Sequence, residues 1–332
     1  MLNTIPIVLK RLTALTGVAN NDAMDTQADL GLDAAPSVDS PVCLGPAPGP
    51  RALPQPEPPF VLIEPIRRTA PLIFASPHSG RRYPADLLAL ARTGLMSLRR
   101  SEDALVDELF AGGGAHGAAL LSASVARAYI DLNRDPGELD PEMFEERLPP
   151  AESSPRVQAG LGAIPRITGD GQAIYWRKLT LAEAERRIAA IHRPYHAMLR
   201  GLIAATKARF GCAVLIDCHS MPSGARGAHA PDIVLGDRFG ASCHPSVTAL
   251  TEATLRRLGY RVARNAPFAG GHTTQIYGRP AERVHALQIE INRALYLDES
   301  TLEPTFGFSR VRADMSRLAE TLAAASLHTS LV

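Results

Sequence analysis

Two histidines and one glutamate stand where metal-assisted chemistry would need them. His219 follows the apolar run Ala213-Val214-Leu215-Ile216, and the chain breaks soon after it at Pro222-Ser223-Gly224. His78 repeats the pattern after Pro71-Leu72-Ile73-Phe74-Ala75 and is followed at once by Ser79 and Gly80. Short apolar runs of this kind predict buried strands, and in open α/β sheets ligands collect outside the carboxyl ends of the strands. Glu290 lies between Ile289 and Ile291 in a third strand-like run. A carboxylate buried there is costly unless it is paired or metal-bound. Either histidine alone is explained as an ordinary loop residue; the recurrence points to a mononuclear zinc hydrolase, with N and O ligands and one position open for water.

Four blocks carry a resemblance. Ser76-Pro77-His78-Ser79-Gly80, Asp131-Leu132-Asn133-Arg134, Asp217-Cys218-His219-Ser220-Met221-Pro222 and Gln288-Ile289-Glu290-Ile291-Asn292-Arg293-Ala294-Leu295-Tyr296 occur in this order. Together they resemble the signature blocks of the N-formylglutamate amidohydrolases, over residues 63–324. The resemblance implies an α/β fold with a mixed central sheet flanked by helices. That is the zinc exopeptidase-like sandwich shared with zinc carboxypeptidases, aspartoacylase and N-acetylmuramoyl-alanine amidases. It implies one Zn2+ per chain, held by His78 and His219, with Glu290 matching the family's catalytic glutamate.

The third ligand stays open from the residues themselves. Ser101-Glu102-Asp103 predicts a helix start with Ser101 as N-cap, and two acids in a first turn are explained by the helix dipole alone. The resemblance selects Asp103 over Glu102, because family members carry an aspartate at the start of the corresponding helix. Zinc carboxypeptidases place a glutamate three residues after their first histidine; Arg81 occupies that position here, so the ligand set departs from theirs. Asn133 and Arg134 resemble a carboxylate-binding pair, with Arg127 close by, and a guanidinium fork grips a carboxylate through two bonds. His272 follows Gly270-Gly271 in a block similar to one in the family. It is expected either to contact the substrate or transition state or to sit exposed on a glycine hinge. His192 and His196 have i, i+4 spacing, but no Glu follows the first, so this is not the HExxH signature; both are expected to be structural or to support the metal ligands from behind.

Composition limits the alternatives. A net charge of +1 and 5% aromatic residues give no electrostatic or stacking basis for binding nucleic acid or an anionic membrane. No apolar run reaches the length of a membrane-spanning helix. Four cysteines without CxxC spacing predict no disulfide scaffold and fit a reduced, cytoplasmic setting. The expected partner is a small-molecule substrate, most simply N-formyl-L-glutamate, cleaved to formate and glutamate. The competing readings are an N-acetylmuramoyl-alanine amidase or carboxypeptidase-like zinc hydrolase, and a non-catalytic binding protein on the same fold.

The elements that must position these residues follow. Residues 1–59 are dense in proline towards their end and predict a disordered extension, with Lys10 and Arg11 misplaced for a signal peptide. Residues 60–332 are expected to form the catalytic domain. Ala119–Ala123 and Ala128–Leu132 predict paired strands. Residues 137–173 predict a long irregular wall, and a long helix kinked at Pro194 follows.

Overall fold

The structure is a computed structural model that describes residues 8–11, 57–148, 154–223 and 230–327. Its centre is an eight-stranded sheet among the described residues, made of β1 (Val8–Arg11), β2 (Phe60–Glu64), β3 (Leu72–Ser76), β4 (Ala119–Ala123), β5 (Ala213–Met221), β6 (Ile233–Gly236), β7 (Val262–Arg264) and β8 (Val284–Asn292). The order across the sheet is β1-β2-β4-β3-β5-β8-β6-β7. The middle strands β4, β3, β5 and β8 are parallel. β2 and β6 run against β4 and β8, which makes the sheet mixed.

Helices cover both faces, which is why β5 and β8 are buried along their whole length. Alternate residues serve different cores. Leu215 and Ala286 pack with Tyr195 and Leu199 on one face; Ile216 and Ile289 pack with Leu109 and Met315 on the other. The first face is covered by the helical run that starts at Leu181, where Thr180 and Glu183 form a capping box. Just before Pro194 that run widens into a π turn over Ile188–His192. Proline has no N–H to offer the preceding turn, and the widened turn absorbs the loss.

Four expectations need correction. The extension is not wholly unstructured, because Val8–Arg11 pairs with β2 as a parallel edge strand; residues 12–56 lie outside the described residues. Ala128–Leu132 is not a strand but a turn region, with Tyr129 N donating to Ala126 O and Asp131 N to Ala163 O. No helix begins at Ser101. It begins at Val106, after Leu105 adopts a left-handed φ of 64°, because Asp103 N is drawn to His78 O instead. Finally, β5 runs on to Met221, so His219 lies within the strand rather than beyond it.

Candidate metal centre and active site

Side chains alternate across a strand with period two. Asp217 and His219 therefore share one face of β5, and Gln288 and Glu290 share the same face of β8. In the parallel register Asp217 stands opposite Gln288 and His219 opposite Glu290. The neighbouring strand β3 delivers His78 in the loop just past its end. Gly80 is needed there, since a Cβ would meet Val125 O at 2.0 Å.

His78, Asp103 and His219 converge, all buried, with their candidate ligand atoms within 4.8 Å of one another. Asp103 Oδ2 lies 3.0 Å from His219 Nδ1 and 3.3 Å from His78 Nδ1. Asp103 Oδ1 is occupied from behind, accepting from Ser220 Oγ at 3.2 Å and Arg293 Nη2 at 3.1 Å. Glu102 is turned away, its carboxylate accepting from Tyr83 and Arg99. Of the two acids, Asp103 is thus the one that stands between the imidazoles.

Each imidazole is backed by a carboxylate on its far nitrogen. His78 Nε2 lies 2.7 Å from Asp131 Oδ1, and His219 Nε2 lies 3.0 Å from Asp217 Oδ2. A carboxylate behind each ring fixes the tautomer that leaves Nδ1 as the lone pair, as in metal sites whose histidines donate their other N–H to an acid. Burial favours the neutral form of Asp103, yet the bonds to His219 and His78 hold its carboxyl well below the usual range. Burial also opposes charge on His219, but Asp217 and Asp103 outweigh it and raise that pKa well above normal. Both shifts describe the mutual stabilisation of the Asp103 carboxylate and a charged His219 in the metal-free site. Two neutral Nδ1 atoms and one carboxylate oxygen suit a divalent ion such as zinc.

Glu290 is not part of this ligand group. Its Oε1 accepts from Gln288 Nε2 at 2.8 Å, and burial pushes its carboxyl up to about 7. It lines, with His78, Asp103, His219 and Arg127, a cavity of about 190 Å³. Residues 154–173 supply part of the cavity wall through Arg156, Leu161 and Ile167.

Residues 70–297 match the family model described as N-formylglutamate amidohydrolase. The chain belongs to the N-formylglutamate amidohydrolase family. It is 32% identical over 243 residues to the N-formylglutamate deformylase of Pseudomonas aeruginosa, covering 70% of this chain and 84% of that protein. The N-formylglutamate deformylase of Pseudomonas putida is 31% identical over 240 residues, covering 69% of this chain and 83% of that one. The crystal structure of N-formylglutamate amidohydrolase from Ralstonia eutropha JMP134 superposes with a TM-score of 0.77 at 39% identity, covering 81% of this chain and 98% of that one.

The remaining expected site residues of this family member divide. Arg127 lines the cavity, donating Nε to Asp131 Oδ2 at 2.9 Å. Among the described residues its two terminal nitrogens have no hydrogen-bond partner. Arg134 also lines the cavity, but Nε and Nη1 are held by Leu161 O and Asn133 O. Asn133, expected to grip a substrate carboxylate, has its amide committed inside the protein: Nδ2 donates to Asp217 Oδ2 at 3.2 Å and Oδ1 accepts from Thr273 N at 2.8 Å. His272, expected either to contact the substrate or to sit exposed on a glycine hinge, lines an adjoining cavity with Arg134, Arg156 and Arg238. Its ring centroid lies 5.7 Å from that of His196 and 6.3 Å from that of His192.

Three residues escaped the sequence reading: Asp131, Asp217 and Arg293. Asp217 was detectable, because period-two alternation from His219 puts it on the same face. Asp131 and Arg293 stood inside the family blocks, but no local pattern ties them to residues 53 and 190 positions away.

Proposed function

We propose that this chain is a zinc-dependent amidohydrolase that cleaves the N-acyl amide of a small acidic N-acyl amino acid, most simply N-formyl-L-glutamate. The observation that carries the reading is the pairing of two carboxylate-backed histidines and Asp103 with a separate, buried Glu290 one strand away. The name carried by both Pseudomonas relatives supports the substrate class. Zinc bound between His78, Asp103 and His219 would polarise the acyl carbonyl and make a water more acidic. Glu290 takes a proton from the attacking water as its oxygen bonds to the formyl carbon. The carbon–nitrogen bond then breaks, and Glu290 passes the proton to the leaving amine nitrogen. The products are formate and the free amino acid. Arg127 offers its two free terminal nitrogens to a substrate carboxylate, the geometry in which a guanidinium binds best. Arg134 adds positive charge behind it.

The test is elemental analysis of the purified protein followed by a substrate panel. One zinc per chain and preferred cleavage of N-formylglutamate over other N-acyl amino acids and muramoyl peptides is the expected result. Zinc without cleavage of any member would favour a binding protein on the same fold. Preference for muramoyl peptides would favour the cell-wall amidase.

A further inference from the structure

The irregular segment Asp131–Arg134 backs both candidate metal-binding histidines. Asp131 Oδ1 accepts from His78 Nε2 at 2.7 Å and from Asn133 N at 2.8 Å. Asn133 Nδ2 braces Asp217 Oδ2 at 3.2 Å and lies 3.0 Å from His219 Nε2. A segment without helix or strand bonds needs other partners for its buried carbonyls. Two of them come from the long helical run on the covering face. His196 Nε2 donates to Leu132 O at 2.8 Å, and His192 Nε2 donates to Arg134 O at 2.9 Å. The two accepting carbonyls flank Asn133 on either side. From the opposite direction, Thr273 N donates to Asn133 Oδ1. Gly271 packs so closely that a Cβ there would meet Asn133 Nδ2 at 2.5 Å.

Resting on the zinc-hydrolase reading above, we infer that His192 and His196 are positioning residues: they clamp the backbone around Asn133 so that Asp131 and Asn133 hold the two zinc-binding histidines in place. His192, His196 and His272 also bring nitrogen atoms within 4.8 Å of one another, but Nε2 of each of the first two is spent on a backbone carbonyl. Both rings are buried and in contact, tilted at 35° with centroids 4.3 Å apart. Both nitrogens of His196 are engaged, Nδ1 lying 2.9 Å from Tyr277 Oη. Burial lowers both pKa values, that of His196 to about 3, so the clamp stays neutral and donates through one N–H each.

The experiment measures zinc affinity of the full chain by competition with a chromophoric chelator, together with thermal unfolding of the metal-free protein. His192→Ala and His196→Ala are expected to bind zinc about 10- to 100-fold more weakly, the usual effect of removing an outer support of a metal site. His196→Gln, which keeps a donor near the Nε2 position, should recover most of the loss. Gly271→Ala, pressing on Asn133 from the other side, should weaken zinc as well. Folded alanine variants with wild-type zinc affinity would overturn the inference. If the alanine variants do not fold, imidazole nitrogen NMR of the wild-type protein decides: Nε2–H tautomers at both rings support the clamp, and an Nδ1–H tautomer at either overturns it. Two zinc ions per wild-type chain, one lost in His192→Ala, would make the histidines ligands and overturn it too. A wild-type protein that binds no zinc fails the underlying zinc reading instead, and the inference falls with it.

Discussion

His219 on β5 and Glu290 on β8 are direct partners in a parallel strand pair, both pointing to the same face. One stands in the metal-shaped group and the other outside it. Neighbouring strands are about 4.8 Å apart, so the sheet itself holds a candidate base one strand spacing from a candidate ligand. The ladder fixes the separation of their backbones.

Glu290→Gln keeps the shape and removes the proposed base. It is expected to retain zinc and to lose about a hundredfold or more in kcat, the usual scale of general-base catalysis. Zinc analysis beside steady-state kinetics checks this. Loss of zinc would make Glu290 a ligand, and near-normal turnover would send the search for a base elsewhere.

The pH dependence follows from the same carboxyl. Burial raises its pKa to about 7 in the metal-free site, and a bound cation would draw it lower. A base must be ionised to work, so kcat/KM should fall on the acid side at or below about pH 7. Stability runs the other way. A carboxyl whose folded pKa is raised contributes stability that is complete below its unfolded value, about 4.3, and is lost as pH climbs to its folded one. Metal-free Glu290→Gln should therefore melt higher than wild type at pH 8 and show no such advantage at pH 4. Paired melting curves at the two values test it.

On the proposed zinc reading, Asp131 and Asp217 act through the histidines they back. Asp131→Asn and Asp217→Asn should each weaken zinc about 10- to 100-fold while leaving the three ligands in place. Chelator competition gives the constants. Unchanged affinity in both variants would show that the imidazoles need no carboxylate behind them.

Arg127→Met should cost about tenfold to a hundredfold in kcat/KM for an acidic substrate, as expected for hydrogen bonds to a charged group. The loss should shrink for an N-formyl amino acid amide that lacks the carboxylate. Equal losses on both substrates would assign Arg127 to supporting Asp131 alone.

The sequence by itself determined the strands β3, β5 and β8 and the presence on them, or just past them, of His78, His219 and Glu290. Those follow from local rules: apolar runs of strand length, and the cost of burying a lone carboxylate between two isoleucines. The residues alone left the choice between Glu102 and Asp103 open; the resemblance favoured Asp103, and the tertiary structure shows the physical reason. Asp103 turns inward because its N–H is taken by His78 O and its carboxylate by Arg293, a residue 190 positions away. It likewise turned Asn133 from the substrate to Asp217 and sent His272 into the adjoining cavity. Those outcomes depend on partners that meet only when distant segments pack, and spacing along the chain carries no record of them.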